Sequence, residues 1–303
     1  MKTLLIGANG QVGYELAARL AGADLLATTR SGVAPLDGVT CVALDVGDRG
    51  ALRSLILDCR PDVVINASAY TAVDRAESES ELAFRINAEA PAAMATACLE
   101  AGARLVHYST DYVFDGTARS PYRTDSAVSP LGVYGRSKRA GEVAVLASGA
   151  DVLVLRTAWV YGTRGQNFLR TMLRLGRERD ELRVVDDQVG CPTPAWFVAA
   201  ATAQLLERAA PAGIHHAVTR GQVSWFGFAE AIFVTALERG LIARAPTLVP
   251  IPSSAYPTPA RRPDYSVLDS GGLAALGIDV PDWRDAFRHT LDRDGDALAR
   301  LLG

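Results

Sequence analysis

An apolar tetrapeptide, Thr3-Leu4-Leu5-Ile6, runs directly into Gly7-Ala8-Asn9-Gly10-Gln11-Val12-Gly13. Few folds accept that junction. The run shows no polar alternation, so it reads as a strand buried on both faces. After the loop, Val12, Leu16 and Leu20 recur at helical spacing and predict a helix over 11–21. Glycine spacing of the form GxxGxxG between a strand and a helix has a physical purpose. A Cβ would keep a pyrophosphate away from backbone N–H groups, and the last glycine lets helix and strand approach closely. The helix N-terminus adds partial positive charge. A plain glycine turn is the alternative, but three glycines in register favour a bound dinucleotide.

The chain then alternates. Strands are expected over 24–29, 40–44, 62–66, 104–109 and 151–155, and helices over 48–59, 80–101 and 134–147. Asp48 is placed to cap the first of these helices, and Pro91 should kink or restart the second. The order implies right-handed crossovers and an α/β fold, a Rossmann-type doubly wound parallel sheet covered on both faces. It is joined to a smaller C-terminal region. Residues 1–156 form the expected NAD(P)-binding domain. Residues 157–303 form most of a discontinuous second region, some of whose segments return to the first domain. Helices are expected there over 166–179, 195–208, 225–239 and 282–300, with Trp225 and Trp283 opening two of them. Six prolines between Pro246 and Pro263 predict an irregular, rigid loop.

Composition narrows the function. Thirty-one Lys+Arg against 34 Asp+Glu leave a charge of −3, which argues against a nucleic-acid partner. Cys41, Cys59, Cys98 and Cys191 form no CxxC pair and read as unpaired thiols of a reducing compartment. The N-terminal apolar run is too short for a signal peptide, and no stretch has the length of a membrane span. A cytoplasmic protein without a membrane partner is expected. His215 and His216 would point to opposite faces of a strand, so no metal site is expected. GxSxG, GxxxxGK[ST] and HExxH are absent, which removes the minimal parts of several hydrolase and NTPase classes. Asp186-Asp187 reads as loop polarity.

The cofactor residues follow from the loop. Gly7, Gly10, Gln11, Val12 and Gly13 form the expected cradle, joined by Ala67 and Ser68 beyond the 62–66 strand. The second strand ends Thr28-Thr29-Arg30, where an acid would bond the ribose 2′-OH of NAD. Arg30 can pair with a 2′-phosphate instead, which favours NADPH and leaves NADH open. A solvated loop position is the other reading of Arg30. Asp45-Val46 is placed to meet the adenine, or to punctuate the next helix.

Tyr134 and Lys138 stand four apart and share a helix face. An ammonium beside a phenol should lower its pKa and suit it to acid–base work. Between this pair and the glycine loop lies Ser109-Thr110-Asp111-Tyr112, at the carboxyl end of a strand where open sheets bind ligands. Thr110 can bond a carbonyl oxygen there. Asp111 and Tyr112 can bond sugar hydroxyls or position Thr110. Simple turn chemistry is the alternative. His107, mid-strand, reads as a core residue.

These residues resemble the extended short-chain dehydrogenase/reductases. Further blocks resemble their dTDP-4-dehydrorhamnose reductase branch: Arg156-Thr157-Ala158-Trp159-Val160-Tyr161-Gly162, Asn167-Phe168, Thr171-Met172-Leu173-Arg174, Asp187-Gln188, Pro192-Thr193 and Ala260-Arg261-Arg262-Pro263. The resemblance spans nearly the whole chain and implies a Rossmann domain with a smaller C-terminal α/β substrate domain, the substrate-binding region of residues 157–303. It implies NAD(P)H-dependent reduction of the C4 ketone of a dTDP-linked 4-keto-6-deoxyhexose, dTDP-4-dehydro-β-L-rhamnose, to dTDP-L-rhamnose. It implies Tyr134 as general acid, with Lys138 tuning it and holding the ribose. Thr110 would meet the ketone oxygen. Asp111, Tyr112, Trp159, Asn167 and Arg261 would contact substrate, with Arg262 competing for the diphosphate. Another nucleotide-linked 4-keto sugar, or a non-catalytic member of the fold, are the rival readings. Two segments depart from the branch. Residues 194–200 carry no carboxylate, so a homodimer would not be metal-bridged. Asp264-Tyr265-Ser266 replaces the usual Asn-Ser after Arg-Pro.

Overall fold

The computed structural model describes residues 1–302. Its centre is a parallel sheet of β1 (Thr3–Ile6), β2 (Leu25–Thr29), β3 (Thr40–Ala43), β4 (Val63–Asn66), β5 (Arg104–Thr110), β6 (Val152–Thr157) and a strand at Gly213–His216. The spatial order, from one edge, is Gly213–His216, β6, β5, β4, β1, β2, β3. The chain thus winds outward from β1 in two directions, and the reversal falls between β1 and β4.

Period-two side-chain alternation explains the two layers. Leu5 of β1 enters one core with Leu16, Ala17, Phe197 and Leu205. Leu4 and Ile6 enter the other with Leu52, Ile56, Met94 and Val145. The helices that cover these faces include α1 (Gln11–Arg19), α2 (Arg49–Cys59), α3 (Val73–Ala76), α4 (Ser80–Phe84), α5 (Ala90–Ala101) and α6 (Val133–Leu146). Asp48 caps α2, its side chain accepting from Ala51 N–H. Pro91 does not break its segment. Residues Arg85–Glu89 form a π-type turn ahead of it, and Pro91 sits in the first turn of α5, where its missing N–H costs nothing.

Residues beyond 157 contribute to both bodies. β7 (Val160–Tyr161), α7 (Phe168–Glu178) and β8 (Glu181–Val185) are followed by β9 (Val189–Gly190), β10 (Thr193–Pro194) and α8 (Ala195–Glu207). The sheet's edge strand, β11 (Gly213–His216), comes next, then β12 (Val223–Ser224), α9 (Trp225–Glu238), β13 (Thr247–Ile251), α10 (Gly271–Ala275) and α11 (Trp283–Leu302). α8 and β11 return to the main sheet. A separate core gathers Leu169, Met172, Leu182, Phe228, Phe233, Trp283 and Phe287. The proline-rich segment is not a continuous loop. Thr247–Ile251 is a strand paired in parallel with β8, and Pro250 is tolerated because this two-stranded ribbon is all edge. His215 and His216 lie on β11, and only His216 is buried.

Candidate active site

The reversal point between β1 and β4 is lined by backbone. Gly7 has φ +85°, and a Cβ there would stand 2.8 Å from Ser68 N. A Cβ on Gly13 would stand 2.2 Å from Gly7 O. Gly7 and Ala8 N–H both donate to Thr28 O, at 3.1 and 2.9 Å. Ser68 is fixed in turn, its N–H and hydroxyl both donating to Asn66 Oδ1. The expected cradle residues Gly7, Gly10, Gln11, Val12, Gly13, Ala67 and Ser68 thus meet at the carboxyl edge of the sheet. No side chain caps α1, so the N–H groups of its first turn have no side-chain acceptor. These features fit a dinucleotide pyrophosphate. Arg30 is exposed at the end of β2. Asp45 is exposed and closes a turn, its Oδ1 accepting from Gly47 N–H at 2.9 Å. Val46 packs beneath it, against the core that holds Leu4 and Ile6.

The same edge carries the acid–base residues. β5 ends at Thr110, whose hydroxyl donates to Asp111 Oδ1 at 3.0 Å and accepts from Tyr112 N–H at 3.2 Å. Tyr134 opens α6 and is half-buried, and Lys138 is buried one turn on. Lys138 Nζ donates to Tyr108 O at 2.6 Å. Burial pulls the Lys138 pKa down to about 8. Burial pushes the Tyr134 phenol up to about 12, with the Thr110 hydroxyl opposing it. Lys138 is not among the groups that shift the phenol in this structure. The amine is anchored on a carbonyl of β5, and desolvation of the phenol dominates. A phenol at about 12 is fully protonated at neutral pH, so the proton to be donated is present. Burial raises Asp111 to about 6, opposed by the nearby Ser266 and Thr110 hydroxyls. Its Oδ2 is buried without a hydrogen-bond partner. His107 is held neutral by burial and by Lys138, and Asn66 Nδ2 lies 3.1 Å from its Nδ1. The Tyr112 ring meets Tyr134 edge-on at 5.6 Å.

The remaining substrate candidates are placed less directly. Trp159, at φ +47°, stacks on Trp225 with ring centroids 3.4 Å apart. Gly190 lies so close that a Cβ would fall 2.3 Å from its Cε2. Trp159 is thus engaged by protein in this structure. Asn167 departs from expectation. Its Oδ1 caps α7 through Arg170 N–H, and its Nδ2 donates to Gln11 Oε1 and to the Gly162 and Arg164 carbonyls. Its hydrogen-bonding capacity ties the 162–167 loop to the glycine loop, leaving little for substrate. Arg261 is exposed, whereas Arg262 forms a bidentate pair with Asp74.

Several organising residues escaped sequence reasoning. Asn87, fully buried, bonds the Tyr70 backbone through both side-chain ends and donates to Ser137 Oγ. Glu142, also fully buried, receives two bonds from Arg156, each at 2.8 Å, and one from Arg139. A lone Asn or Glu inside an otherwise apolar helix stripe was the available signal. Among the described residues no group of His, Cys, Asp and Glu stands where it could hold a metal ion, and no helix is long and apolar enough to cross a membrane.

Comparisons with known proteins agree with this geometry. A family model described as the RmlD substrate binding domain matches residues 1–295. The chain is 48% identical to a dTDP-4-dehydrorhamnose reductase of Burkholderia thailandensis over 302 residues, covering 94% of this chain and 96% of that protein. It is 40% identical to the Escherichia coli K12 protein of the same name, covering 96% and 97%. Among solved structures, a dTDP-4-dehydrorhamnose reductase from Bacillus anthracis in complex with NADP superposes with a TM-score of 0.87 at 32% identity, covering 97% of this chain and 100% of that one.

Proposed function

The chain belongs to the RmlD substrate binding domain family, and on that premise we propose that it reduces the C4 ketone of dTDP-4-dehydro-β-L-rhamnose to dTDP-L-rhamnose with NADPH. It is a nicotinamide-dependent oxidoreductase of nucleotide-sugar biosynthesis. The observation that carries this reading is the meeting of Thr110, Tyr134 and Lys138 at the sheet edge that also bears the glycine loop.

Residues 1–156 hold the cofactor in this reading, and most of 157–303 build the substrate side. Gly7, Gly10 and Gly13 keep the cradle free of side chains beside Ser68, the first-turn N–H groups of α1 meet the pyrophosphate, and Arg30 reads the 2′-phosphate. Bound NADPH supplies a hydride. Tyr134 donates its phenolic proton to the C4 oxygen, so that hydride and proton together convert C=O to CH–OH. The Thr110 hydroxyl turns from Asp111 to the ketone oxygen and fixes its position. Lys138 keeps one donor on Tyr108 O and has others for the ribose hydroxyls. Arg261 meets the diphosphate, because Arg262 is already committed to Asp74. Trp159, backed by Trp225, presents its remaining edge to the sugar. The unpaired cysteines support a cytoplasmic location. A homodimer would not be metal-bridged, since Pro194–Ala200 offers no carboxylate.

The test follows loss of reduced-nicotinamide absorbance against a panel of dTDP-4-keto sugars. The 4-dehydrorhamnose substrate should turn over fastest. Tyr134→Phe should lower kcat by about 10²–10⁴-fold with NADPH affinity retained. Wild-type turnover in that variant would remove Tyr134 as the acid, and a faster reaction with another sugar would move the substrate assignment.

A further inference from the structure

Two carboxylates of the α3 segment, Asp74 and its C-terminal neighbour Glu77, stand three residues apart and reach two different parts of the site. Glu77 Oε1 accepts the backbone N–H of Val133 at 2.7 Å. Val133 is the first residue of α6, immediately before Tyr134. Gly132, at the capping position, supplies no side chain of its own. A Cβ on Gly132 would stand 2.7 Å from Glu77 Oε1. Glycine there makes room for a cap delivered from 56 residues away. A carboxylate suits the positive end of the helix.

Asp74 grips the other element. Its two oxygens take Arg262 at 3.0 and 2.8 Å, and Oδ1 also accepts Ala260 N–H at 3.2 Å. Burial raises the Tyr112 phenol and the Arg262 charge opposes that shift, and Tyr112 in turn meets the Tyr134 ring. α3 itself is fixed by Ala76, which is fully buried with Ala83 and Val133.

We infer that Asp74 and Glu77 are positioning residues that hold the Tyr134 phenol and the Ala260–Arg262 loop in one register, so that proton donor and diphosphate loop act as a unit. The inference rests on the reductase reading above. Neither carboxylate touches the reacting atoms. Each works through the element that it anchors.

Steady-state kinetics with dTDP-4-dehydro-β-L-rhamnose tests it. Glu77→Ala should lower kcat about tenfold, the scale of a sub-ångström misplacement, with NADPH affinity by fluorescence titration unchanged. Glu77→Gln, whose amide oxygen still accepts the Val133 N–H, should recover most of that loss. Gly132→Ala should reproduce the loss with both carboxylates present. Asp74→Asn should act mainly on KM for the nucleotide sugar, and its combination with Glu77→Ala should fall short of the product of the two effects. A kcat for Glu77→Ala equal to wild type, with only the melting temperature lowered, overturns the inference and leaves the reductase reading intact. So does equal impairment of the Ala and Gln variants. Failure of the wild-type protein to turn over any dTDP-4-keto sugar sinks the reductase reading instead.

Discussion

The glycine-loop half of the cleft and the Tyr134 half are built by different means. The first is backbone against backbone: Gly7 on Ser68, Gly13 on Gly7, and Thr28 O receiving two N–H groups. Its parts lie within a short stretch of chain and a neighbouring strand end. The second is held by charged and amide side chains that span long separations. Glu77 reaches Val133, Asn87 reaches Ser137, Glu142 reaches Arg156, and Asp74 reaches Arg262. A backbone cradle fails through added volume, whereas a side-chain scaffold fails through lost charge pairing. The contrast therefore separates variants that clash from variants that leave a partner stranded.

The largest expected effect comes from stranding Arg156. The side chains of Arg156 and Glu142 are 1% and 0% exposed, so the pair is shielded from solvent along its whole length. Burial alone would raise the Glu142 carboxyl, but Arg156, with Ser109 and Arg139, outweighs it and the net shift is downward. Glu142→Ala should cost about 3–5 kcal/mol in urea unfolding, a large part of a typical domain's stability. Because the folded carboxyl titrates below its unfolded counterpart, the contribution is complete at neutral pH. It is lost as pH falls through the acid range. A cost below about 1 kcal/mol would erase the contrast, since α6 would then be held by ordinary packing.

That contrast also sets what the sequence could reveal. Six of the seven strands of the sheet, the Asp48 cap and the glycine cradle are local patterns, and each was legible from a few adjacent residues. The Tyr134 and Lys138 pair was legible as helix spacing. Its electrostatics were not, because the phenol's environment depends on burial and on where β5 places Tyr108 O. Asn167 read as a substrate contact by its block, yet its bonds to Gln11 and two carbonyls depend on how the 162–167 loop folds over α1. Strand β13 was hidden because a proline-dense segment gives no period-two signal, and its pairing partner β8 lies far away in sequence. The pairs made by Asp74, Glu77 and Glu142 left only isolated polar residues in helical stretches.

A smaller effect distinguishes the halves by pH. Lys138 titrates at about 8 in the folded chain against 10.5 as the ordinary value. Between these values the unfolded chain binds more protons, so stability should rise with pH across the window, by up to about 3 kcal/mol. Lys138→Met should flatten this rise, and subtracting its profile from that of wild type isolates Lys138 from other alkaline groups. Turnover should move the other way, falling above about pH 8 as the ammonium is lost. Stability and activity changing in the same direction across that window would show that the buried charge is not held at a cost.

The smallest expected effect concerns the one side chain on the glycine-loop side that is assigned to recognition. Arg30 ends β2, exposed to solvent, where an acid would otherwise meet a ribose hydroxyl. An exposed guanidinium gains only a screened interaction with a phosphate, so its contribution is modest and salt-dependent. Arg30→Ala should lower the NADPH-over-NADH ratio of kcat/KM about tenfold, equivalent to about 1.4 kcal/mol, and leave kcat with NADPH unchanged. Raising the ionic strength should lower the ratio in wild type and barely alter it in the variant. An unchanged ratio would make Arg30 a solvated loop residue. The glycine-loop half would then be a pure backbone cradle, blind to the 2′-phosphate, and the contrast with the Tyr134 half would become sharper still.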